Sequence, residues 1–379
     1  MLAAMYKYHH GSISRQGTTG AFDAEDATLV LCFSSKDILE ENKLYPALRH
    51  HFPHAQILTC STAGEILGTE VTDGGTSIVA LQFKATPITL KSVDISDHPD
   101  SFEAGKALIS GFERKGLRYV LVLSDGGRVN GSSLTEGMTT AAGNILVTGG
   151  LAADGDRFQS TLVGAGGPPR EGLIAAVGFY GDALRVGHGS QGGWETFGLE
   201  KTVTRSSVNV LFEIDGKNAL DLYKHYLGPE AQGLPGTALL FPLSVILPGA
   251  TEPVVRTILS IDEGASSMTF AGNIPEGSRV RFMRANFDRL THAASKAASD
   301  AIDTPGIPPQ FALLISCVGR KLILGARCEE EVEAVDEVFG NHTTMAGFYS
   351  YGELSPLASG GTCQLHNQTM TITTFYEVE

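Results

Sequence analysis

Cysteine, tryptophan and positive charge are what this 379-residue chain has little of. Its five cysteines are an odd number with no Cys-x-x-Cys pair, which suggests neither a disulfide framework nor a zinc knuckle. Cys32, Cys60 and Cys317 sit in or at the end of apolar strand-like runs, where a free thiol packs as a small hydrophobe. Lysine and arginine number 28 against 42 acidic residues, and no basic stripe offsets the net charge of −14. Such a polyanion repels phosphate backbones, so no nucleic-acid partner is expected. No apolar run reaches the roughly 20 residues of a membrane helix. The longest, 238–250, is interrupted by Pro242 and Pro248 and reads as a core strand, so no membrane partner is expected either. The opening residues show no basic region followed by an apolar one, and a cytoplasmic protein is expected.

The remainder is globular in character. The chain is 42% hydrophobic and 18% charged, with a mean hydropathy of +0.03, too apolar for disorder. At roughly 100–200 residues per domain the length predicts two or three domains. Glycines, 45 in all, punctuate short β-branched or alternating runs such as 29–33, 56–59, 77–83, 88–95 and 119–123, which read as strands. Helical periodicity falls between them over 37–51, 101–115, 132–142, 219–227, 288–302 and 329–339. This alternation predicts an α/β (α+β) fold of layered sheets with helices outside.

An internal repeat sharpens that expectation. Three segments run from an apolar strand through a polar turn and a helix to a second strand ending in small residues and an acid. The first reaches Cys60-Ser61-Thr62-Ala63-Gly64-Glu65, the third Phe348-Tyr349-Ser350-Tyr351-Gly352-Glu353, and the middle one Gly149-Gly150-Leu151-Ala152-Ala153-Asp154. The middle copy has lost the Gly-Glu corner and kept only an acid. Duplication of a β-α-β element accounts for the pattern.

Common catalytic signatures are missing: no G-x-x-x-x-G-K-[ST], no H-E-x-x-H and no G-x-S-x-G. The span from Gly187 to Gly192 matches G-x-G-x-x-G, but the following Gly193-Trp194-Glu195 is no helix start, and a dinucleotide site needs one. A thiol or carboxylate enzyme stays open as an alternative, with Cys317 as nucleophile, His366 as base and Asp125 or Glu353 orienting it. Beside it stands a buried structural cysteine. Glu65 and Glu353 occupy equivalent corners, where they either do acid and base work or cap backbone N–H groups. Arg320 would pair with one of them or hold a ligand carboxylate. Seven histidines, His9, His10, His50, His51, His54, His98 and His342, lie in polar surroundings that read as solvated. His188, among glycines before Trp194, and His366, at the head of the last strand, are the candidate metal or haem ligands.

Several separated motifs resemble the FIST family of sensory proteins over nearly the whole chain. They are the Cys60-to-Glu65 corner, Val203-Thr204-Arg205-Ser206, the run 211–223, Ser316-Cys317-Val318-Gly319-Arg320, Gly347 to Glu353, and Leu365-His366-Asn367-Gln368-Thr369. The resemblance implies a FIST N-terminal domain over 27–216 and a FIST C-terminal sensory domain over 217–379. It implies a non-catalytic small-ligand sensor in bacterial signal transduction, with amino acids as a ligand class. Arg320, Tyr351, Glu353 and Asn367 would line the cavity, joined by Glu65. Stand-alone members include haem-containing nitric-oxide sensors that regulate a separate histidine kinase. The signal would accordingly leave through a partner protein such as a histidine kinase, and haem would take His188 first and His366 second. Self-association into a homo-oligomer stays open.

Overall fold

The computed structural model describes residues 1–18, 20–234, 236–357 and 360–378. Its chain follows one path three times. The first unit contains β1 (Leu2–His9), β2 (Ser12–Thr18), β3 (Leu29–Ser34), α1 (Lys36–Glu40) and α2 (Leu44–His51), then β4 (Gln56–Ser61), β5 (Glu65–Leu67), β6 (Glu70–Thr72) and β7 (Thr76–Gln82). The second contains β8 (Ile88–Asp94), α3 (Ser101–Ser110), β9 (Leu117–Ser124), α4 (Gly131–Ala142), β10 (Leu146–Leu151), β11 (Val163–Ala165) and β12 (Leu173–Tyr180). The third opens with β13 (Leu184–Gln191) and is then interrupted by an insert. That insert holds β14 (Glu195–Ser207), β15 (Val210–Ile214), β16 (Lys217–Asn218), α5 (Ala219–Leu227), β17 (Leu243–Ile246), β18 (Val254–Arg256), β19 (Ile258–Asp262), β20 (Ser267–Phe270) and β21 (Arg279–Arg284). The third unit resumes with α6 (Phe287–Asp300), β22 (Phe311–Cys317), α7 (Val318–Leu324), α8 (Cys328–Phe339), β23 (Thr344–Ser350), β24 (Gly352–Ser355), β25 (Gln364–His366) and β26 (Met370–Glu377).

Each unit builds a sheet of the same order, and each sheet borrows a strand. The orders are β11-β4-β3-β7-β1-β2, β25-β24-β10-β9-β12-β8 and β13-β26-β22-β23-β5-β6. In every unit the two central strands are parallel, β3 with β4, β9 with β10 and β22 with β23, and the returning strand is antiparallel to the first. The strand after the parallel pair leaves its own sheet: β5 pairs with β23, β11 with β4, and β24 with β10. The three sheets are thereby linked in a ring. The duplicated β-α-β architecture read from the repeat is the architecture found.

Burial explains why the central strands are near-continuous apolar runs. Alternate side chains Leu29, Leu31 and Phe33, Tyr119, Leu121 and Leu123, and Phe311, Leu313 and Ile315 all point into one shared core. The residues between them lie under each unit's own helices. Val30 and Cys32 pack with Leu39, Leu44 and Leu48, Val120 and Val122 with Leu108, Leu134 and Met138, and Ala312 and Leu314 with Ala297, Val332 and Val335. Helices α3 and α4 meet through glycines: a Cβ on Gly105 would lie 2.4 Å from the Leu134 carbonyl oxygen, and one on Gly137 would lie 2.0 Å from that of Phe102.

Local chemistry sets the helix ends. Asp100, Asn130, Asn218 and Asn286 each accept the N–H three residues on, at Glu103, Ser133, Asp221 and Arg289. The helix expected over 37–51 is split into α1 and α2, because Asn42 adopts a left-handed φ of +56°. Only Leu243–Ile246 of the apolar run 238–250 is strand. The Gly187–Gly192 span lies along β13 and continues to β14, so no helix begins there.

The insert forms a fourth sheet, β18-β17-β21-β14-β15-β20-β19, over its own core, with Leu211, Tyr223, Phe270 and Phe282 buried in it. Residues Asp215 and Gly216 turn the chain from β15 into β16 inside this sheet, so the division at 216/217 falls on a hairpin. Strands from both sides of that position share three of the four sheets.

Candidate functional site

The carboxyl ends of the parallel strands carry two clefts of about 410 Å³ each, the place where open parallel sheets present ligand sites. A single loop, 154–160, contributes to both. Asp154, Gly155, Asp156 and Arg157 line the first, and Phe158, Gln159 and Ser160 line the second.

The first cleft is charged. Three cations, Lys36, Arg157 and Lys321, converge there with Asp37, Glu65, Asp73, Asp154 and Asp156. Lys36 stands at the start of α1, directly after β3, and donates from Nζ to Ser160 Oγ. Its ion pair with Glu40 is 3.4 Å long. Lys321 lies on α7, donates from Nζ to the Ala63 carbonyl at 3.0 Å and pairs with Asp73. Both lysine side chains are 13% exposed, whereas Asp73 is 78% exposed. Arg157 donates to Asp37 Oδ1 and to the Asp154 carbonyl, each at 2.9 Å. Asp154 is fully buried and accepts the N–H groups of Gln159 and Ser160 and the Tyr351 hydroxyl. The hydroxyl oxygen of Ser35, also in the lining, is buried without a partner among the described residues.

The two acidic corners share one construction. Thr62 Oγ1 donates to Glu65 Oε1 at 2.5 Å, and Ser350 Oγ donates to Glu353 Oε1 at 2.7 Å, each from three residues earlier. The other oxygen of each carboxylate accepts a backbone N–H from the chain returning to the next strand, Gly75 for Glu65 and Thr369 for Glu353. Each acid thereby fastens the departing strand to the returning one. Burial raises both above the usual carboxylate range, and Glu353 is pushed up to about 8. In the middle unit register places Gly155 where Glu65 and Glu353 stand, since Leu123 pairs with Gly150 as Phe33 does with Cys60 and Ile315 with Phe348. Asp154 therefore sits one residue early, and its carboxylate holds the loop rather than a strand end.

Of the five expected cavity residues, Glu65 lines the first cleft and Tyr351 the second. Arg320 and Glu353 are fully buried, Asn367 is 1% exposed, and none of these three lines either cleft. Arg320 instead donates from Nε and Nη2 to one oxygen of Glu331, Oε2, at 3.0 and 2.8 Å, and to the carbonyls of Gly192 and Leu290. Glu331 also accepts Ser316 Oγ and the Tyr349 hydroxyl. Both ends of the Asn367 amide are buried without a partner among the described residues. Lys36, Lys321 and Arg157 escaped sequence reasoning. The available signal was position, since Lys36 and Lys321 lie in the helix that follows a repeat strand, two residues after β3 and four after β22.

Thiol chemistry gains no support from this geometry. Cys317 is buried, and desolvation pushes its thiol far up rather than down, the reverse of what a thiolate nucleophile requires. The two histidines do not fit haem. His366 is 1% exposed and its Nε2 lies 2.9 Å from the Ser355 carbonyl, so that nitrogen carries the proton; burial holds the ring neutral, with its pKa lowered to about 4. His188 is half-buried on β13, and neither histidine lines a cleft. The glycines flanking His188 admit a helix rather than a macrocycle: a Cβ on Gly187 or Gly189 would lie 2.1 Å from the Ala301 or Ala297 carbonyl of α6 and its C-cap. Trp194 does not cover a ligand edge; its indole N–H donates to the Gln368 carbonyl at 2.9 Å. Among the described residues no group of three or more His, Cys, Asp and Glu could hold a metal ion.

Gly189→Ala is accordingly expected to lift α6 off β13 at a cost of about 1–3 kcal/mol. A lowered thermal midpoint with unchanged secondary-structure content by circular dichroism is the result to look for. An unchanged midpoint would show that the close approach is not needed.

Among the described residues no helix is long and apolar enough to cross a membrane. No curated protein matches the chain. Among solved structures, a cyanuric acid hydrolase from A. caulinodans matches at 8% identity over 95% of this chain and 93% of its own, with a TM-score of 0.39, a likeness that says nothing about chemistry here. Family models are specific where that structure is not: the FIST N domain matches residues 28–217 and the FIST C domain residues 219–356. The chain with the ring of three exchanged sheets and the charged cleft therefore belongs to the FIST family, whose domains are associated with sensory signal transduction and small-ligand binding.

Proposed function

We propose that the charged cleft is the sensory site and that it takes a small zwitterion of the amino-acid class, the bound state being read by a separate signalling protein such as a histidine kinase. The observation carrying this reading is the pairing of two half-buried lysines with exposed acids. Lys321 is held by the Ala63 carbonyl, yet its acidic partner, Asp73, sits in water. Surface ion pairs contribute little, so a ligand carboxylate can replace Asp73 at small cost. Asp37 and Asp156, both exposed in the same lining, offer a counter-charge for a ligand ammonium. Glu65, already engaged by Thr62 and Gly75, shapes the floor.

The test is calorimetric titration with each of the twenty common amino acids. One of them is expected to bind, and Lys321→Ala and Lys36→Ala are each expected to weaken it about 10–100-fold, the value of a charge-assisted hydrogen bond. Thermal midpoints should fall only slightly, because the ion pairs broken involve exposed acids and each variant otherwise loses one part-buried hydrogen bond, to the Ala63 carbonyl or to Ser160. Absence of binding by all twenty in the millimolar range would refute the ligand class. Wild-type affinity in both variants would move the site elsewhere.

A further inference from the structure

We propose that the second cleft is a separate binding site for a planar, uncharged heteroaromatic ring of nucleobase type, stacked on Phe158 and Tyr351. This inference does not rest on the amino-acid reading of the first cleft. The second cleft lies between the three-unit body and the insert: Tyr351, Phe158 and Gln159 come from the body, and Asn209, Leu259 and Phe270 from the insert.

Two features point to a stacking ligand. The Phe158 ring lies on the Tyr351 ring with centroids 4.5 Å apart and planes 12° from parallel, and Phe158 is nevertheless 44% exposed. It is also held at a φ of +51°, the left-handed region that a bulky residue occupies only under constraint. The constraint is visible. The Phe158 N–H donates to the Tyr351 hydroxyl oxygen at 2.9 Å, and that hydroxyl is fixed by Asp154 and by the Gly155 carbonyl. An exposed aromatic plane kept in a strained backbone by a buried carboxylate is a platform, and base–aromatic stacking on such a platform is sequence-tolerant and substantial.

Charge selects the class of ring. Among the described residues Arg128 is the one charged side chain in the lining, and it is ion-paired with Glu171. With no carboxylate present, a zwitterion or a cation finds no counter-charge there, in contrast to the first cleft. What the lining offers at its edge is the Gln159 amide, the carbonyl oxygen of Asn209, whose amide N–H already donates to the Phe270 carbonyl at 2.7 Å, and the Ser160 hydroxyl, which accepts from Lys36 and keeps its own proton to donate. Paired donors and acceptors of that kind match the amide-like edges of a nucleobase and are wasted on a hydrocarbon.

The discriminating substitution is Phe158→Gly, which removes the platform and suits the left-handed backbone, so the fold is kept or slightly stabilised. Adenosine, guanosine, cytidine and uridine serve as probes, followed by saturation-transfer NMR and calorimetry on the full chain. At least one is expected to bind wild type with a dissociation constant below about 1 mM, to lose tenfold or more of its affinity in Phe158→Gly, and to be unaffected by Lys321→Ala. If none of the four binds wild type, or if Phe158→Gly binds as well as wild type with its thermal midpoint intact, the proposal is overturned. Loss of binding in Lys321→Ala would also overturn it, since it would place the ring in the charged cleft. Amino-acid binding without nucleoside binding would leave the sensory reading standing and remove this one alone.

Discussion

Arg320→Ala is expected to destabilise the protein by about 3–5 kcal/mol, the cost of leaving a buried charge without its partner. Both members of the Arg320–Glu331 pair are fully buried. The guanidinium binds a carboxylate on α8, the carbonyl of Leu290 on α6 and the carbonyl of Gly192 beyond β13, so one side chain ties three parts of the third unit together. Removing it strands the Glu331 carboxylate, which keeps only the Ser316 and Tyr349 hydroxyls. A denaturant midpoint that falls with an unchanged slope is the expected readout. The double replacement Arg320→Met with Glu331→Leu should recover much of the loss, because it buries apolar groups instead of an orphaned charge. An Arg320→Ala protein of wild-type stability with lost ligand affinity would instead make Arg320 a binding residue.

Stability is expected to fall between pH 6.5 and 8, and Glu353→Gln should abolish most of that fall. The Glu353 carboxyl is raised from 4.5 to about 8, chiefly by desolvation. Below pH 4.5 folded and unfolded chains both hold its proton, and the contribution to stability is complete. Above 4.5 the unfolded chain releases the proton while the folded one keeps it, so stability drops by about 1.4 kcal/mol per pH unit until the folded group ionises. His366, the residue facing Glu353 across β24 and β25, works in the opposite direction. Its folded value of about 4 lies below the ordinary 6.5, so the unfolded chain binds the extra proton between those limits and stability rises with pH there. Burial lowers His51 and His188 in the same sense. Above 6.5 the histidine contribution fades over about one pH unit, and the opposing slope of Glu353, joined in sign by the raised Glu65, prevails, with Glu353 worth about 2 kcal/mol by pH 8. Denaturant midpoints measured across this range check the sign. A flat or rising profile would mean that Glu353 is ionised in the folded chain at neutral pH.

The repeat was readable because its corners are local: a hydroxyl three residues ahead of a carboxylate is a pattern within the chain, at Thr62 and Glu65 and again at Ser350 and Glu353. Helix α5 was equally plain, bounded by the Asn218 cap and Gly228. The exchange of strands was not readable, since β5 and β11 are three residues each, too short to show a period or to name a partner. Glu331 was hidden in a run of acids at 329–331 that looks solvated; only the turn of α8 puts it inward against Arg320 while Glu329 and Glu330 stay out. The clefts escaped for a similar reason. Their lysines look like surface charge until two distant repeats bring Lys36 and Lys321 to one opening.

The ring of borrowed strands also imposes an order on synthesis. When β5 leaves the ribosome its partner β23 is still about 280 residues away, which at roughly 5–20 residues per second is a wait of some 15–55 s. Throughout that interval β5, with Ile66 and Leu67, is paired on one edge only, with β6, and its other edge stands open. β10 likewise waits for β24, while β4 gains β11 comparatively early. The last two units to close are thus completed only by the carboxyl-terminal strands, so a nascent chain stalled before β23 keeps an open strand edge on β5 and on β10. Shortening the insert between β13 and α6 would bring those strands forward in time.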